Sequence, residues 1–339
     1  MRTWKLGMIG CGVHAKANIF SSLHRMGYPM QAVCARHLDR AQAAAKQFAI
    51  PKAYDDYRQM LEKEELDVAF VITEAVSQAG IVKECLKKGL HVFVEKPLGM
   101  NEKEAWEVAE LADKMDRKVM VGFMKRFSPS YCTLKEIMNN REEFGQPLSF
   151  MGMFAITSGR PGWDNEIYTK VGGIHYVDLM RHLFGELKEI HGYTNSVDVE
   201  VDNVFTMRFQ SGIIGSMFFG GIPAWKRHWE EICVTGVKGF VKVDNMANVR
   251  YHYDRPVKTT GARWQTLDEA DLVLTPVSTS SSGGWRDLYL NGYVGELEYF
   301  FACIEQNQRP VCDARDNVKT MALCDRIVNC LKGKDDLYV

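Results

Sequence analysis

The chain of 339 residues is 46% hydrophobic and 25% charged, which is ordinary for a globular protein of about two domains. Lys and Arg number 42 and Asp and Glu number 43, so the net charge of -1 gives no general attraction for nucleic acid or an anionic membrane. No apolar run approaches the roughly 18 residues of a membrane span, and the N-terminus enters a strand pattern without a signal-peptide layout. We therefore expect a cytoplasmic protein with no nucleic-acid or membrane partner.

Nine cysteines are scattered along the chain. They form no Cys-x-x-Cys pair and have no histidine at metal-ligand spacing. The pattern predicts reduced core residues, with neither a disulfide framework nor a metal site.

The first third of the chain alternates strand and helix patterns. Strands are predicted at residues 4–9, 30–34, 66–73, 91–96 and 118–123, with helices at 14–26, 38–48, 77–88 and 103–115. Strands separated by helices of about 10 to 15 residues predict a parallel, doubly wound sheet. The fold class is therefore α/β, with a Rossmann domain over residues 1–124.

The second part of the chain has a different pattern. After a predicted helix at 129–140, strand segments such as "NVFTMRFQ" and "GIIGSMFFG" follow one another, joined by short turns such as "QSG" and "GVKG". Strands in succession with tight turns predict a mostly antiparallel, open sheet, which needs a covering layer on at least one face. Helices predicted at 173–184, 294–306 and 316–331 supply it. Residues 125–339 are thus expected to form a C-terminal α+β domain.

A glycine-rich turn closes the first predicted strand. Gly10, Gly12 and Ala15 fit G-x-G-x-x-[G/A], with Val13 and His14 inside the motif. In a dinucleotide site the first glycine allows the tight turn, the second lets the backbone approach a pyrophosphate, and the small third residue keeps the helix close to the sheet. The match opens a helix at the start of a doubly wound region, which is the context the motif needs. It predicts NAD(P) binding, with a bare glycine turn as the alternative.

The end of the second strand bears on which dinucleotide is bound. An acidic residue there would bind the ribose hydroxyls of NAD, but Ala35 stands at that position and Arg36 follows it. Arg36 can pair with the 2′-phosphate of NADP through its fork of donors. Stacking on adenine or simple solvation is the alternative. The pattern leans slightly towards NADP.

Charged residues follow the fourth strand in "VFVEKPLGM" (92–100). Glu95, Lys96 and Pro97 come where an apolar run stops, and ligands of a doubly wound sheet lie beyond the carboxyl ends of its strands. Lys96 is therefore predicted to hydrogen-bond a substrate oxygen near the nicotinamide. A solvated pair at the strand end is the alternative.

Several segments together resemble the glucose–fructose oxidoreductase, inositol dehydrogenase and MocA family of Rossmann oxidoreductases. They are "GMIGCGVHA", "VEKPLGM", "VGFMKRFSPSY", "GGIHYVDLMRHLFGE", "VTGVKGFVKVDN" and "GELEYFFACI". The resemblance implies NAD(P)-dependent hydride transfer at a secondary alcohol of a sugar, polyol or glycoside. It also implies a homodimer or homotetramer formed through the C-terminal sheet.

The resemblance also assigns roles to individual residues. Lys96 matches the lysine of the E-K-P motif, while His175 and Asp178 match the last two members of an Asp-x-Gly-x-His-x-x-Asp stretch. The implied cofactor contacts are Gly10, Gly12, Val13, His14, Ala15, Ala35, Arg36, Thr73, Glu74, Gln78, Glu95 and Lys96.

Three positions depart from the family pattern. Val171 stands where the first aspartate of the histidine stretch is expected, Met124 replaces the usual Asn or His of "VGFxxRF", and "TPxxxH" appears here as residues 73–78 with Glu74 after Thr73. Such departures are typical of a divergent subfamily with its own substrate or overall reaction.

In the implied mechanism, His175 takes the hydroxyl proton of the substrate, Lys96 holds the same oxygen, and Asp178 supports the imidazolium. Trp163 is expected to stack on a sugar face. Further substrate contacts are expected from Arg160, Tyr168 and Lys170, and each of these also has a plausible surface role.

Two other function classes remain open. One is a redox-neutral enzyme that oxidises carbon 3 of a glycoside with a retained cofactor and then cleaves or eliminates. The other is a non-catalytic nucleotide-binding regulator, against which the presence of both Lys96 and His175 argues.

Overall fold

The computed structural model describes residues 4–156, 163–197, 200–221, 228–253, 271–277, 279 and 285–333, so Arg160 lies outside the described residues. The chain divides into two compact units. The first unit consists of Met1–Phe127 and Gly292–Asp325, and the second of Ser128–Asn291 and Arg326–Val339. The first unit thus includes Gly292–Asp325, a segment that the sequence analysis assigned to the C-terminal domain.

Strands occur in both units. The described residues contain β1 (Leu6–Ile9), β2 (Met30–Cys34), β3 (Lys52–Tyr54), β4 (Val68–Val71), β5 (His91–Glu95), β6 (Val119–Gly122), β7 (Pro147–Ile156), β8 (Leu187–Thr194), β9 (Val201–Phe209), β10 (Ile214–Gly221), β11 (Trp229–Gly236), β12 (Gly239–Asp244), β13 (Asn248–Tyr253) and β14 (Asp271–Leu274).

Helices account for most of the remaining described residues. The α-helices are α1 (Ser21–Arg25), α2 (Leu38–Gln47), α3 (Tyr57–Lys63), α4 (Ala75–Lys87), α5 (Glu102–Lys114), α6 (Pro129–Asn139), α7 (Asn165–Ile167), α8 (Ile174–Phe184), α9 (Arg286–Leu290), α10 (Tyr293–Glu305) and α11 (Ala314–Leu331). Two π-helical segments, Ala15–Phe20 and Tyr168–Gly173, lead into α1 and α8, and Met124–Phe127 is a 3-10 turn.

The sheet of the first unit has the order β3-β2-β1-β4-β5-β6, and all its pairings are parallel. The predicted doubly wound sheet is therefore confirmed. Its central strands are apolar throughout because helices cover both faces, and every residue of β1 and β4 is buried. The aromatic ring of Phe70 on β4 lies 5.7 Å from that of Phe93 on β5, and both rings contact Phe300 of α10.

The second unit contains an eight-stranded sheet in the order β14-β13-β12-β11-β7-β10-β9-β8. All its pairings are antiparallel except that of β7 with β10. The predicted large, mostly antiparallel sheet is confirmed, with the one parallel pair as an addition.

Helix α8 covers one face of this sheet. The ring of Phe150 on β7 stacks on that of Phe184 at 4.4 Å, and Phe154 stacks on Tyr176 at 4.9 Å. Alternate residues of the strands face the other way, where Met151 is 67% exposed. Further exposed apolar side chains on this face of the sheet include Tyr193, Val204, Ile214 and Trp229.

All nine cysteines lie in the described residues, and none of them forms a disulfide. Of the helices in the described part of the chain, none combines the length and apolar character that crossing a bilayer needs.

Candidate active site

The glycine loop follows β1 at the carboxyl edge of the parallel sheet. Gly10 has a φ of +106°, and a Cβ built on it would lie 1.9 Å from the carbonyl oxygen of Ile72, so only glycine fits there. Gly12 differs, because a Cβ on it would meet no described atom within 4 Å. The described protein leaves this space open, which is what the close approach of a pyrophosphate requires. Ala15 is fully buried at the start of the helical segment, while Val13 is 87% exposed.

Four further predicted cofactor residues follow β2 and β4. Arg36, which follows Ala35, forms an ion pair with Glu74. Glu74 occupies the N-cap position of α4, but its side chain does not bond to the helix. Thr73 accepts a hydrogen bond from the hydroxyl of Ser77 at 3.1 Å.

Glu95, at the end of β5, is tied to the glycine loop. Its Oε1 lies 2.9 Å from Nε2 of His14, whose Nδ1 lies 3.0 Å from the amide nitrogen of Asn18. Burial opposes protonation of His14, but the charge and hydrogen bond of Glu95 outweigh it and raise the His14 pKa. Burial likewise opposes ionisation of Glu95, and the attraction of His14 and Lys96 nevertheless lowers the pKa of that carboxyl. Both shifts are in the direction that favours an imidazolium–carboxylate pair.

Lys96 is partly buried directly after this pair. Burial lowers its pKa, the charge of Glu95 raises it, and the charge of Lys125 lowers it, with a net shift downwards. A lysine whose charged form is disfavoured is suited to giving or receiving a proton.

The turn after Lys96 is fixed from a neighbouring helix. The Lys96–Pro97 peptide bond is cis. Gln78 is buried on α4, and its side-chain amide donates to the carbonyl oxygen of Pro97 at 2.8 Å. In the structure, Gln78 therefore positions the turn that carries Lys96.

Sequence reasoning missed a second carboxyl in this region, that of Glu296 on α10. Its side chain is 0% exposed, and neither of its oxygens has a hydrogen-bond partner among the described residues. Burial and the nearby charge of Glu95 raise its pKa well above the ordinary value. The available signal was a glutamate on the otherwise apolar face of "YVGELEYFFACI".

In the second unit, His175 is the second residue of α8, directly after the π-helical segment Tyr168–Gly173. π-helical segments are rare in proteins, and those that occur are often found at functional sites. Gly173 is required there, because a Cβ on it would lie 1.8 Å from the ring of Phe219. Asp178 lies one helical turn after His175 and is buried.

The three predicted substrate contacts that are described in this unit, Tyr168, Lys170 and Trp163, differ from one another in burial and in hydrogen-bond partners. Tyr168 is fully buried and donates its hydroxyl to the carbonyl of Gly220, so packing already uses it. Lys170 is buried, with its ammonium 2.8 Å from Glu166. Trp163 is half-buried.

Two family models match the chain. One, described as oxidoreductase family, NAD-binding Rossmann fold, covers residues 4–123, and the other, the GFO/IDH/MocA C-terminal domain, covers residues 134–242. The chain belongs to the GFO/IDH/MocA family of oxidoreductases.

Relatives and solved structures of this family agree with the assignment. Myo-inositol 2-dehydrogenase of Thermotoga maritima is 26% identical over 309 residues, covering 84% of this chain and 83% of the relative. A dehydrogenase from Chromobacterium violaceum superposes with a TM-score of 0.86 at 21% identity, covering 98% of this chain and 96% of that one. Levoglucosan dehydrogenase in complex with NADH and L-sorbose has a TM-score of 0.82 at 17% identity, and the match covers 99% of this chain and 98% of that one. The fold of the chain is that of these dehydrogenases.

Val171 carries no acid where the family resemblance predicts an aspartate, and the two acidic residues shortly before it, Asp164 and Glu166, have partners of their own. Glu166 is bound by Lys170 at 2.8 Å and by Lys332 at 3.1 Å. Asp164 caps α7 by accepting from the backbone N–H of Ile167. Among the described residues no group of three or more His, Cys, Asp or Glu is placed to hold a metal ion.

Proposed function

We propose that this GFO/IDH/MocA oxidoreductase transfers a hydride between a nicotinamide cofactor and a secondary alcohol of a sugar, polyol or glycoside. The observation that carries the proposal is the group formed by His14, Glu95 and Lys96 at the carboxyl edge of β5. It places a hydrogen-bonded ion pair and a lysine of lowered pKa beside the glycine loop.

Lys96 binds the reacting oxygen. Its ammonium donates to the hydroxyl or carbonyl of the substrate, and the lowered pKa eases proton exchange with that oxygen. Glu95 keeps a negative charge next to Lys96 and so limits the fall of the lysine pKa. The bound nicotinamide supplies the hydride acceptor or donor at its carbon 4.

His175 is proposed as the base that takes the hydroxyl proton, with Asp178 as the carboxylate that stabilises the imidazolium. A buried carboxylate one helical turn away is suited to this because a neighbouring negative charge favours the protonated ring.

The substrate class is proposed from the relatives, whose names specify a cyclic polyol and an anhydrosugar. In this chain the half-buried ring of Trp163 is proposed to stack on a sugar face. The ammonium of Lys170 is proposed to bind hydroxyl or acidic groups of the substrate. Arg160 remains a predicted contact.

For the cofactor, the finer proposal is a modest preference for NADP. It rests on Ala35, which supplies no carboxylate to the ribose, and on Arg36, which can bind a 2′-phosphate.

We further propose that the protein is cytoplasmic and assembles as a homodimer or homotetramer. Nine cysteines that form no disulfide suit a reducing compartment. The open face of the eight-stranded sheet, with Met151 and Val204 exposed on it, is the surface proposed for assembly. Light scattering of the purified protein measures the mass, and a monomer at micromolar concentration would contradict this proposal.

The test of function is a screen of cyclic polyols, free sugars and glycosides with NAD and with NADP, and of the matching ketones with the reduced forms. Nicotinamide absorbance should change with at least one polyol or sugar. Turnover of a glycoside without net absorbance change would support the redox-neutral route instead. Cofactor binding without turnover of any compound would support the regulator.

A further inference from the structure

The ion pair between Arg36 and Glu74 lies at the carboxyl edge of the parallel sheet. Nη2 of Arg36 is 2.8 Å from Oε1 of Glu74, and Nη1 is 3.5 Å from Oε2. Both side chains are largely exposed, at 77% and 66%. The carboxylate of Glu74 thus accepts from both terminal nitrogens of the Arg36 guanidinium, which are the two donors that a phosphate would bind.

The sheet order shows where this pair lies relative to the glycine loop. β2 and β4 are the two neighbours of β1, so a bond from the end of β2 to the end of β4 spans the carboxyl end of β1. Gly10 and Gly12 follow that end directly. The winding of the sheet reverses between β1 and β4, and ligands of doubly wound sheets bind outside this point. A dinucleotide held by the glycine loop therefore lies beside the pair.

We propose that Glu74 is a specificity-determining residue, which holds Arg36 in an ion pair and thereby limits the binding of a phosphate on the adenosine ribose. The inference rests on the proposed NAD(P) binding and deepens it. Arg36 alone would favour NADP, but a 2′-phosphate must first displace Glu74 from both nitrogens. The displaced carboxylate then remains close to the phosphate and repels it. NAD carries no such phosphate and leaves the pair intact.

The position of Glu74 in the sequence supports a role outside the helix. It stands at the N-cap of α4, where a carboxylate could accept a bond from the helix backbone, yet its side chain makes no capping bond. The carboxylate is directed to Arg36 instead.

The experiment measures dissociation constants of NADH and NADPH by quenching of protein fluorescence, for the wild type, Glu74→Gln, Arg36→Ala and the double variant. Glu74→Gln should tighten NADPH about five- to tenfold and change NADH less than about twofold, as expected for removing one charge a few ångströms from the phosphate. Arg36→Ala should weaken NADPH. In the Arg36→Ala background, Glu74→Gln should tighten NADPH by a smaller factor, because the ion pair is already gone and only the direct repulsion of the phosphate remains to be removed.

Glu84→Gln is the matched control. It removes one carboxylate from the other end of α4, where Glu84 pairs with Lys87, and should leave both constants unchanged. An unchanged NADPH-to-NADH ratio in Glu74→Gln overturns the inference while leaving the proposed function standing. An equally large gain in the Arg36→Ala background also overturns it. Failure of the wild type to bind either nucleotide overturns the proposed function and the inference together.

Discussion

The imidazole Nε2 of His14 lies 2.9 Å from Oε1 of Glu95, which connects the glycine loop after β1 to the end of β5, two strands away in the sheet. The ring of Tyr293 also packs against His14, with centroids 5.8 Å apart. This contact holds the carboxylate beside Lys96, where its charge partly offsets the lowering of the lysine pKa by burial.

The first prediction follows from this pair. The pKa of His14 should lie above its ordinary value of 6.5, so the ring should stay protonated to higher pH than a free histidine. Glu95→Gln should lower it, since burial then acts without the opposing charge. Titration of the ring by NMR measures both values. Glu65→Gln, which removes a carboxylate paired with Lys5, should leave His14 unchanged. A His14 pKa that does not fall in Glu95→Gln contradicts the pairing.

The second prediction concerns catalysis. Lys96→Ala and His175→Ala should each lower turnover by about two orders of magnitude or more, the range for a positioned acid or base, with cofactor binding kept. Steady-state rates on a substrate found in the screen measure the effect. Lys87→Ala and His24→Ala change exposed residues of the same types and should retain turnover. Near-wild-type rates in either test variant would remove that residue from the mechanism.

The third prediction concerns Glu296. Since the folded state raises the pKa of this buried carboxyl above its ordinary value of 4.5, the folded protein binds a proton that the unfolded chain releases. Its contribution to stability is full below pH 4.5 and is lost as pH rises towards the raised pKa. Over that interval the free energy of unfolding should fall by up to about 1.4 kcal/mol per pH unit.

Glu296→Gln removes the titrating group, so its Tm should exceed that of the wild type increasingly as pH rises from about 5 to 8. Glu298→Gln changes an exposed glutamate of the same helix and should follow the wild type. The idea is wrong if the Tm difference between Glu296→Gln and the wild type does not depend on pH.

The two sheets could be predicted because their strands carry strong local patterns. β4 and the three central residues of β5 are apolar runs, as expected of strands buried on both faces, and β9 alternates buried and outward residues along its length. β3 was missed because Lys52–Tyr54 has three residues, too few to show a period. The parallel pairing of β7 with β10 was also missed, because alternation is the same for parallel and antiparallel neighbours.

The candidate site was predictable only where a motif is contiguous. Gly10, Gly12 and Lys96 come from such motifs. The bond from Gln78 to the carbonyl of Pro97 and the pair of Arg36 with Glu74 join positions far apart in the chain, and no local pattern encodes them. The carboxyl of Glu296 was overlooked for a related reason, since a single charge in an amphipathic helix is usually solvated.

The last prediction concerns the acid absent at Val171. Among the acidic residues near His175 in sequence, Glu166 is bound by two lysines and Asp164 caps α7, whereas Asp178 is buried on the same helix one turn away. We therefore expect Asp178 to supply the negative charge that favours the imidazolium.

Asp178→Asn keeps the shape and removes this charge, so the pKa of His175 should fall and turnover should drop about tenfold or more. The acidic limb of the pH–rate profile should move to lower pH, because the base form of the ring then persists further into acid. A purely structural loss would lower the rate at every pH without moving the limb. Asp164→Asn is the matched control and should leave the limb in place, and a shift in Asp164→Asn but not in Asp178→Asn would assign the supporting charge to the loop before α7 instead.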